Sequence, residues 1–505
     1  MAYEQNTPFR LLSFREFVPD GLRFWIYILF LLCFQFSNGM YFCAMNQMSG
    51  SLSLTPDDVR MMGNTVLVGI TMYFPLAFRL KFRFTNRTCL LVSALALVTI
   101  NLIVPHIHSL PLLVLLCFVA GFFRLFGTFE CLSSILPKIT SSHNYAVFLS
   151  FVFFVVLGFV HVFDIAASHI MYYYSWQSIH YFAVGTLLLV ILGAYILMQP
   201  FRPMPKQPLY GVDWFGMVLW SIFILSAIFT VQYGEQMDWL HSPYIRVGAG
   251  ISCLALAANL WRMMHIRHPF IEFEAFKTRN LLNLLWLFLF LDILLSTQQV
   301  LQNTFTVAVL QLDHLNTVHL YWFDVLGMLL GALFSWYALS KLKWGHKLVC
   351  FVGMAFVVLY IVQMYFLITP YTDIEKLYLP LVCCGFGHVT VFISLTVYAQ
   401  ATAPFKNYFQ VLCVLGLIRT GIGAPLGDAI YARALEAAMI THSSMTVSLR
   451  ELFGWSIVFG VFVLIVIAAS RFKGKVGMPI PTFEREYWVL FKRKNKSRLL
   501  SERIG

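Results

Sequence analysis

Residues 451–470, with the sequence ELFGWSIVFGVFVLIVIAAS, show the pattern that decides the fold of this chain. Only the first of them, Glu451, is charged, and the stretch is long enough for a helix to cross a hydrocarbon core of about 30 Å. Thirteen further apolar stretches of comparable length precede it in the 505 residues. The sequence therefore predicts an all-α integral membrane protein with fourteen transmembrane helices.

The predicted spans are separated by short connections, which leave no soluble domain of catalytic size. In chain order we place the spans at residues 24–48, 59–78, 88–104, 111–136, 145–171, 178–199, 213–233, 244–265, 281–307, 317–339, 348–368, 378–400, 408–434 and 451–470.

Lys and Arg are sorted between alternate connections. Of the 35 cations, 28 lie in one set of connections and the two chain ends, and the opposite set holds four: Arg60, Arg246, Lys376 and Arg450. By the positive-inside rule, both termini are cytoplasmic. The net charge of +12 therefore indicates topology and attraction to the anionic lipid bilayer, and we expect no nucleic-acid partner.

Cysteine and histidine placement argues against a disulfide framework, a metal site or an enzyme. All ten cysteines lie in or at the ends of apolar spans, where packing explains them. No ligand spacing, phosphate loop or nucleophile elbow is present in the sequence. We expect no cofactor and no metal, so any energy would come from an ion gradient.

Three segments around the seventh and eighth spans carry a family resemblance. Gly211–Gly216 reads GVDWFG, Tyr233–Pro243 reads YGEQMDWLHSP, and His268–Asn280 reads HPFIEFEAFKTRN. In this order they resemble the two-helix insert of the fourteen-helix drug:proton antiporter branch of the major facilitator superfamily. Tyr174–Tyr181 (YSWQSIHY) and Arg419–Gly427 (RTGIGAPLG) are similar to two further motifs of that branch.

The resemblance implies a major facilitator fold with a 6+2+6 arrangement of helices. Residues 1–199 would form an N-terminal six-helix bundle, 200–280 a two-helix insert with linkers, and 281–470 a C-terminal six-helix bundle. Residues 471–505 would form a basic cytoplasmic tail. The implied function is export of hydrophobic or amphiphilic small molecules from a bacterial inner membrane by proton antiport with alternating access. Members of that branch often work with a periplasmic adaptor and an outer-membrane channel.

The chain departs from the branch where the family couples and gates. Pro75–Arg87 reads PLAFRLKFRFTNR, which keeps the cations of the usual PLxGxLADRxGRR motif but lacks its acid and both glycines. Cys117 replaces the usual fourth-span arginine, and an arginine follows at Arg124. These changes, with Arg124 and Arg419 inside spans, favour an alternative: proton-coupled uptake of an organic anion or metabolite. A third interpretation is a non-transporting scaffold or a lipid scramblase.

Polar residues at helical spacing predict a central substrate cavity. In the ninth span, four residues recur at i, i+4, i+7 and i+11, and Gln35, Asn38, Phe42 and Asn46 repeat the spacing in the first span. Interhelical hydrogen bonding is the alternative for both stripes. Neighbours such as Phe288 should face lipid. The predicted cavity set is Gln35, Asn38, Asn46, Arg124, Asp292, Ser296, Gln299, Asn303 and His388, for the last of which a packed histidine is the alternative.

Buried acids and bases supply the coupling and gating candidates. His161 and Asp164 share a face and could exchange a proton, unless Asp164 is held in a structural ion pair. We expect Arg124 to meet an acid such as Asp164 or Asp292, or water. Asp324 is either a gate residue or a solvated acid near a helix end. The coupling candidates are Asp164, His161, Asp292, Glu130 and Arg124; the gating candidates are Arg79, Arg83, Arg87, Arg419, Gly423 and Gly427.

Overall fold

The computed structural model describes residues 13–37, 44–139, 145–202, 206, 208–234, 236–277, 280–312, 314–403, 405–442, 444–470 and 472. Within these residues the chain is helical, apart from one isolated antiparallel bridge between Phe14 and Met198. Two predicted cavity residues are not covered: Asn38 lies outside the described residues, and only the backbone of Asn46 is described.

In this part of the chain, thirteen helices are long and apolar enough to cross a membrane, and a helix of 17 residues precedes them. The all-α fold class is therefore confirmed, while the orientation of the termini stays a prediction. We number the helices α1 (Asp20–Phe36), α2 (Pro56–Arg83), α3 (Asn86–His106), α4 (Leu110–Leu136), α5 (Ala146–Tyr173), α6 (Trp176–Leu197), α7 (Trp214–Tyr233), α8 (Pro243–His265), α9 (Leu281–Val309), α10 (Leu315–Lys341), α11 (His346–Leu367), α12 (Ile374–Thr402), α13 (Asn407–Thr441) and α14 (Met445–Ala469).

The first predicted span is not one continuous helix. α1 ends at Phe36, Ser37 leaves the helical region with a ψ of 71°, and a separate short helix occupies Met45–Leu52. The sequence Ser37-Asn38-Gly39 consists of residues with low helix propensity, which explains the end of α1. Gln35 and Asn46 therefore lie on two separate helices and do not share one helical face; residues 38 and 42 lie outside the described residues, and the fourteenth crossing stays a prediction.

The first six and the last six helices each pack mainly among themselves. In the N-terminal set, α1–α6, α4 packs against α1, α2 and α3, and α3 also packs against α6. In the C-terminal set, α9–α14, α12 packs against α10 and α11, α11 against α14, and α9 against α13. The two sets meet where α5 contacts α10 and α12, and where α2 contacts α13.

Small residues allow α10 and α12 to approach closely. Gly327 lies against the backbone carbonyl of Val382, and Gly385 lies against that of Asp324. A Cβ atom at either glycine would overlap the opposite backbone, as at other tight helix crossings in membranes. This contact fixes the depth at which Asp324 lies in the bundle.

Asp213, in the GVDWFG segment, holds the insert together. Its carboxylate accepts hydrogen bonds from the backbone N–H groups of Gly216 (2.9 Å) and Phe270 (3.2 Å), and it forms an ion pair with Arg262 (2.5 Å). One carboxylate therefore caps α7, binds the end of α8 and orients the segment that leads to α9. An N-cap acid also complements the partial positive charge of the helix start.

The insert attaches to the N-terminal set through α7. Its last turn reaches the start of α2, where the Tyr233 hydroxyl donates to the Asp58 carboxylate and Gln232 donates to the backbone carbonyl of Asp57 (2.5 Å). Asn64 donates to Gln232 from the next turns of α2 (3.4 Å). α7 also packs against α13, whereas α8 packs mainly on α7.

Candidate functional site

A contact between a histidine and a carboxylate joins the two sets of helices near the middle of the bundle. His161 on α5 and Asp324 on α10 approach with 3.3 Å between Nε2 and Oδ2. Gln298 on α9 donates to the same carboxylate oxygen (3.4 Å), and the Cys384 thiol on α12 donates to the Gln298 carbonyl (3.3 Å). Residues of three helices from both sets thus meet at one carboxylate, and α12 is joined to them through Gln298.

Asp324 is completely buried, with 0 % of its surface exposed, so the interpretation as a solvated acid near a helix end is wrong. α10 begins at Leu315, which puts Asp324 roughly 13 Å along its axis. Its Oδ1 atom has no hydrogen-bond partner among the described residues. An incompletely satisfied acid at this depth is costly and is a mark of function in membrane proteins.

Asp164, the acid that shares a helical face with His161, belongs to the same region. It is half-buried, and both His161 and Arg124 lie close enough for an electrostatic interaction with its carboxyl group. The sequence expected His161 to serve Asp164, but the contact within ion-pair distance is to Asp324 on the other set of helices. His161 therefore stands between two carboxyl groups.

Arg124 is buried in α4 and contacts α1. Its guanidinium donates to the Gln35 side-chain oxygen at 2.7 Å, and the Gln35 amide donates to Thr128 at 3.2 Å. Of the two acids expected near Arg124, Asp292 is bonded to Arg419, whereas Asp164 lies close enough for an electrostatic interaction with Arg124. Gln35, the described member of the first-span stripe, is thus an internal polar contact of the N-terminal set.

A second buried ion pair lies within the C-terminal set. Arg419 on α13 donates from Nε to Asp292 on α9 at 3.0 Å, and its guanidinium carbon lies 4.3 Å from the centre of the Phe392 ring. Gly423 packs against the Asp292 side chain, and Gly427 against Ser296. Small residues on α13 therefore let α9 come close enough for the pair to form. The Arg419 side chain keeps a quarter of its surface exposed.

The predicted polar face of α9 is divided. Asp292 and Ser296 are buried, whereas Gln299 and Asn303 are exposed. Residues Thr297–Gln302 are wound as π-helix, whose wider turn rotates later side chains away from regular α spacing. Gln302 instead points inward and accepts a hydrogen bond from the Tyr360 hydroxyl at 2.7 Å.

Phe288 is buried, with 2 % of its surface exposed, so the expectation that it faces lipid is wrong. Its ring packs against Phe392, with 5.3 Å between ring centres. Phe392 also contacts Phe153 of α5 at 4.6 Å, so this aromatic contact crosses between the sets. His388 lies one turn earlier on α12. It is half-buried, and Arg419 and His161 both lie close enough for an electrostatic interaction with its imidazole.

Glu130 is held in a buried pair within the N-terminal set. Lys81, at the end of α2, approaches its carboxylate to 3.2 Å and also donates to the Ser133 hydroxyl, while Ser134 donates to the other carboxylate oxygen (3.2 Å). The exposed fractions of the two side chains are 4 % and 1 %. This geometry fits a structural role for Glu130 better than proton transfer.

The arginines predicted as gate residues in Pro75–Arg87 lie near the Lys81–Glu130 pair but are not part of it. Arg79 and Arg83 are half-buried near the end of α2, and Arg79 approaches Gly211 in the segment before α7. Arg87, on α3, stacks over the Tyr195 ring at 4.7 Å. The buried cation of the segment is Lys81, which the sequence analysis did not single out.

Within the described part of the chain, no three His, Cys, Asp or Glu side chains are grouped so that they could hold a metal ion. Three buried contacts instead join titratable side chains on different helices: His161 with Asp324, Arg419 with Asp292, and Lys81 with Glu130. The arrangement can bind and release protons at carboxyl and imidazole groups, and it can change charge between two packed sets of helices.

The model of one family, the Major Facilitator Superfamily, matches residues 27–427 of this sequence. The chain belongs to the major facilitator superfamily. Membership makes it a multi-pass membrane transporter of small molecules rather than an enzyme. A search of curated proteins gave no significant match.

Solved structures of other facilitators share the fold. An auto-inhibited peptide transporter of the POT family has a TM-score of 0.56 and 14 % identity, covering 90 % of this chain and 98 % of its own. A nucleoside transporter gives 0.56 and 13 % (89 % and 99 %), and a proton:xylose symporter bound to a bromo-deoxyglucose gives 0.55 and 12 % (91 % and 98 %). At these identities the likeness shows the fold alone.

Two residues of this facilitator's polar centre were under-weighted by sequence reasoning, Asp324 and Gln298. Both lie in spans, and an acid inside a span is a functional candidate by default. Asp324 was visible inside its span, but its distance from the helix end does not tell whether neighbouring helices bury it; moving the start of the span from 317 to 315 changes that distance by only about 3 Å. For Gln298, the π-helical turn hid the signal.

Proposed function

We propose that this facilitator exports hydrophobic or amphiphilic small molecules in exchange for protons, by rocking its N-terminal and C-terminal sets of helices about a central site. The proposal includes a location in the bacterial inner membrane with both termini in the cytoplasm. It also keeps a periplasmic adaptor and an outer-membrane channel as candidate partners. The 6+2+6 division into bundles 1–199, 200–280 and 281–470 is part of the same proposal.

The observation that carries the proposal is the contact between His161 and Asp324. It joins α5 to α10, two helices of different sets, so any change in its charge alters the contact between them. Protonating the carboxylate removes the attraction to a charged imidazole. In a buried setting, such a loss is large because water screens it little. Proton binding is thereby linked to separation of the sets.

The remaining coupling candidates differ in their fit to this role. Asp164 lies beside His161 and remains a proposed partner in proton exchange. Asp292 and Glu130 already have cationic partners within their own sets, Arg419 and Lys81. Protonating either would disturb one set internally rather than the contact between sets. We therefore propose His161 and Asp324 as the coupling pair.

Aromatic contacts between the two sets support the proposed substrate class. Phe153, Phe288 and Phe392 form a contiguous aromatic surface that joins both sets, and such rings favour flat apolar groups and organic cations. The Arg419 side chain is one-quarter exposed, and its guanidinium lies over the Phe392 ring. This favours the second candidate, uptake of an organic anion, because a guanidinium binds a carboxylate.

A reconstituted system separates these functions. Purified protein in liposomes is given an inward or outward proton gradient, and proton flux is followed with a trapped pH dye after adding ethidium or benzoate. Export by antiport predicts that transport of ethidium in one direction drives protons in the opposite direction. Asp324→Asn should abolish this proton flux while retaining ethidium binding, since the amide preserves volume but cannot titrate.

The control is Lys376→Met, which alters an exposed cation outside the predicted centre. Benzoate-dependent proton uptake without an ethidium response would establish the anion symporter instead. Movement of labelled lipid without any gradient would indicate a scramblase. Parental proton flux in Asp324→Asn and in His161→Gln would remove the proposed coupling pair, even if transport itself is confirmed.

A further inference from the structure

Three phenylalanine rings meet where α2 ends and α13 begins. Phe78 on α2 and Phe409 on α13 lie 4.6 Å apart between ring centres, and Phe129 on α4 lies 5.6 Å from Phe409 and 6.1 Å from Phe78. Phe78 and Phe129 belong to the N-terminal set, and Phe409 belongs to the C-terminal set. We call these three residues the aromatic cluster.

The aromatic cluster lies near the end of the bundle that carries the Lys- and Arg-rich connections, which we call the basic end. Phe78 comes five residues before the end of α2, and Phe409 comes two residues after the start of α13. At about 1.5 Å per residue, both rings lie within roughly 8 Å of their helix ends. They therefore stand between the central polar site and this end of the bundle.

A second aromatic contact crosses between the sets on the other side of the bundle. Phe153 of α5 and Phe392 of α12 lie 4.6 Å apart. Phe153 is seven residues from the start of α5, which begins at the basic end. The two sets are thus joined by rings both along α2 and α13 and along α5 and α12.

A buried ion pair inside one set lies beside the aromatic cluster. Lys81, three residues after Phe78, pairs with Glu130, the residue after Phe129, and both side chains are buried. This pair braces α2 against α4 and so fixes two of the three rings relative to each other. At this level the described ring contacts that cross to α13 are apolar, whereas the Lys81–Glu130 ion pair lies within the N-terminal set.

We propose that Phe78, Phe129 and Phe409, with the Phe153–Phe392 contact, form an apolar gate that closes the central site toward the basic end. Packed rings exclude water, so ions and polar molecules cannot pass until the sets separate. The Lys81–Glu130 pair is a positioning element that presents the rings to Phe409. This gate does not depend on the direction of transport, the substrate or the coupling ion.

Accessibility of one native thiol tests the gate without a known substrate. Cys384 lies in the polar centre, buried, with its sulfur 3.3 Å from the Gln298 oxygen. With the other nine cysteines replaced, sealed membrane vesicles of either orientation are treated with a membrane-impermeant maleimide. The labelling rate of Cys384 from each side then reports how often that side is open.

Phe409→Ala removes the two ring contacts that cross to the N-terminal set and should raise the labelling rate from the basic side by about fivefold or more, since each aromatic pair changes an equilibrium by about two- to tenfold. The rate from the opposite side should not rise. The matched control is Phe356→Ala, whose ring packs at 4.3 Å against Phe386 within the C-terminal set. It should leave both rates unchanged.

Phe409→Leu keeps apolar volume but loses the ring geometry, and it serves if the alanine variant elutes as aggregate in mild detergent. It should raise the basic-side rate by a smaller factor. High salt should not accelerate labelling of the parental protein, because apolar contacts are not screened. Parental labelling in both Phe409 variants, or acceleration by salt alone, would overturn the gate.

Discussion

Replacing Lys81 by Met tests whether the pair with Glu130 is structural. The substitution leaves a carboxylate with 1 % exposure without its cation, and losing one partner of a buried pair costs about 3–5 kcal/mol. Ser134 still donates to Glu130, so we expect the lower limit, about 3 kcal/mol. For a cooperative unit of about 200 residues this corresponds to a melting midpoint lowered by roughly 6 °C.

The midpoint is measured as the temperature at which half of the detergent-solubilised protein is lost from the monodisperse size-exclusion peak. The double variant Lys81→Met with Glu130→Leu should recover most of the loss, because both charges are then absent from the buried site. Lys376→Met, which removes an exposed cation 2.8 Å from Asp373, should leave the midpoint unchanged. Equal midpoints for the single Lys81 variant and the parent would refute the reasoning.

Three further predictions concern topology, α9 and its contact with α13. A reporter fused after Gly505 should be active only in the cytoplasm, and periplasmic activity would reverse the orientation inferred from the cation sorting. Single cysteines at Ser296, Gln299 and Leu282 should differ in their labelling rates. A water-soluble thiol reagent should label the buried Ser296→Cys more slowly than the cysteines at the exposed positions 299 and 282, and similar rates at all three would contradict the described burial. Gly423→Leu should lower the melting midpoint by several degrees, since its side chain would displace Asp292 from Arg419; an unchanged midpoint would show that α9 and α13 can separate at no cost.

The sequence predicts the fold well because the decisive quantity is local. Span length and hydropathy depend on about twenty consecutive residues, and each of the thirteen long helices overlaps one predicted span. The error at α1 is also local. The predicted span was placed by its average hydropathy, which includes the weak helix formers near Ser37 without marking them as a break. Hydropathy alone does not register a short break inside an apolar stretch.

The site is less predictable because partners are chosen between helices. Periodicity finds which residues share a face, as with Asp292 and Ser296, but it cannot tell that Arg419 rather than Arg124 meets Asp292. It also assumes regular α spacing, which the π-helical turn at Thr297–Gln302 breaks. His161 and Asp324 lie more than 150 residues apart in the sequence, and only packing brings them together.

The attachment of α7 has a mechanical consequence for any rocking motion. At its last turn α7 is bonded to α2 through Tyr233 and Gln232, whereas toward α13 it presents apolar residues such as Ile224, which lies against Gly421. Directional hydrogen bonds resist sliding, but smooth apolar surfaces do not. The insert would therefore move as a rigid body with the N-terminal set. The sliding during each transport cycle would take place at the contact between α7 and α13.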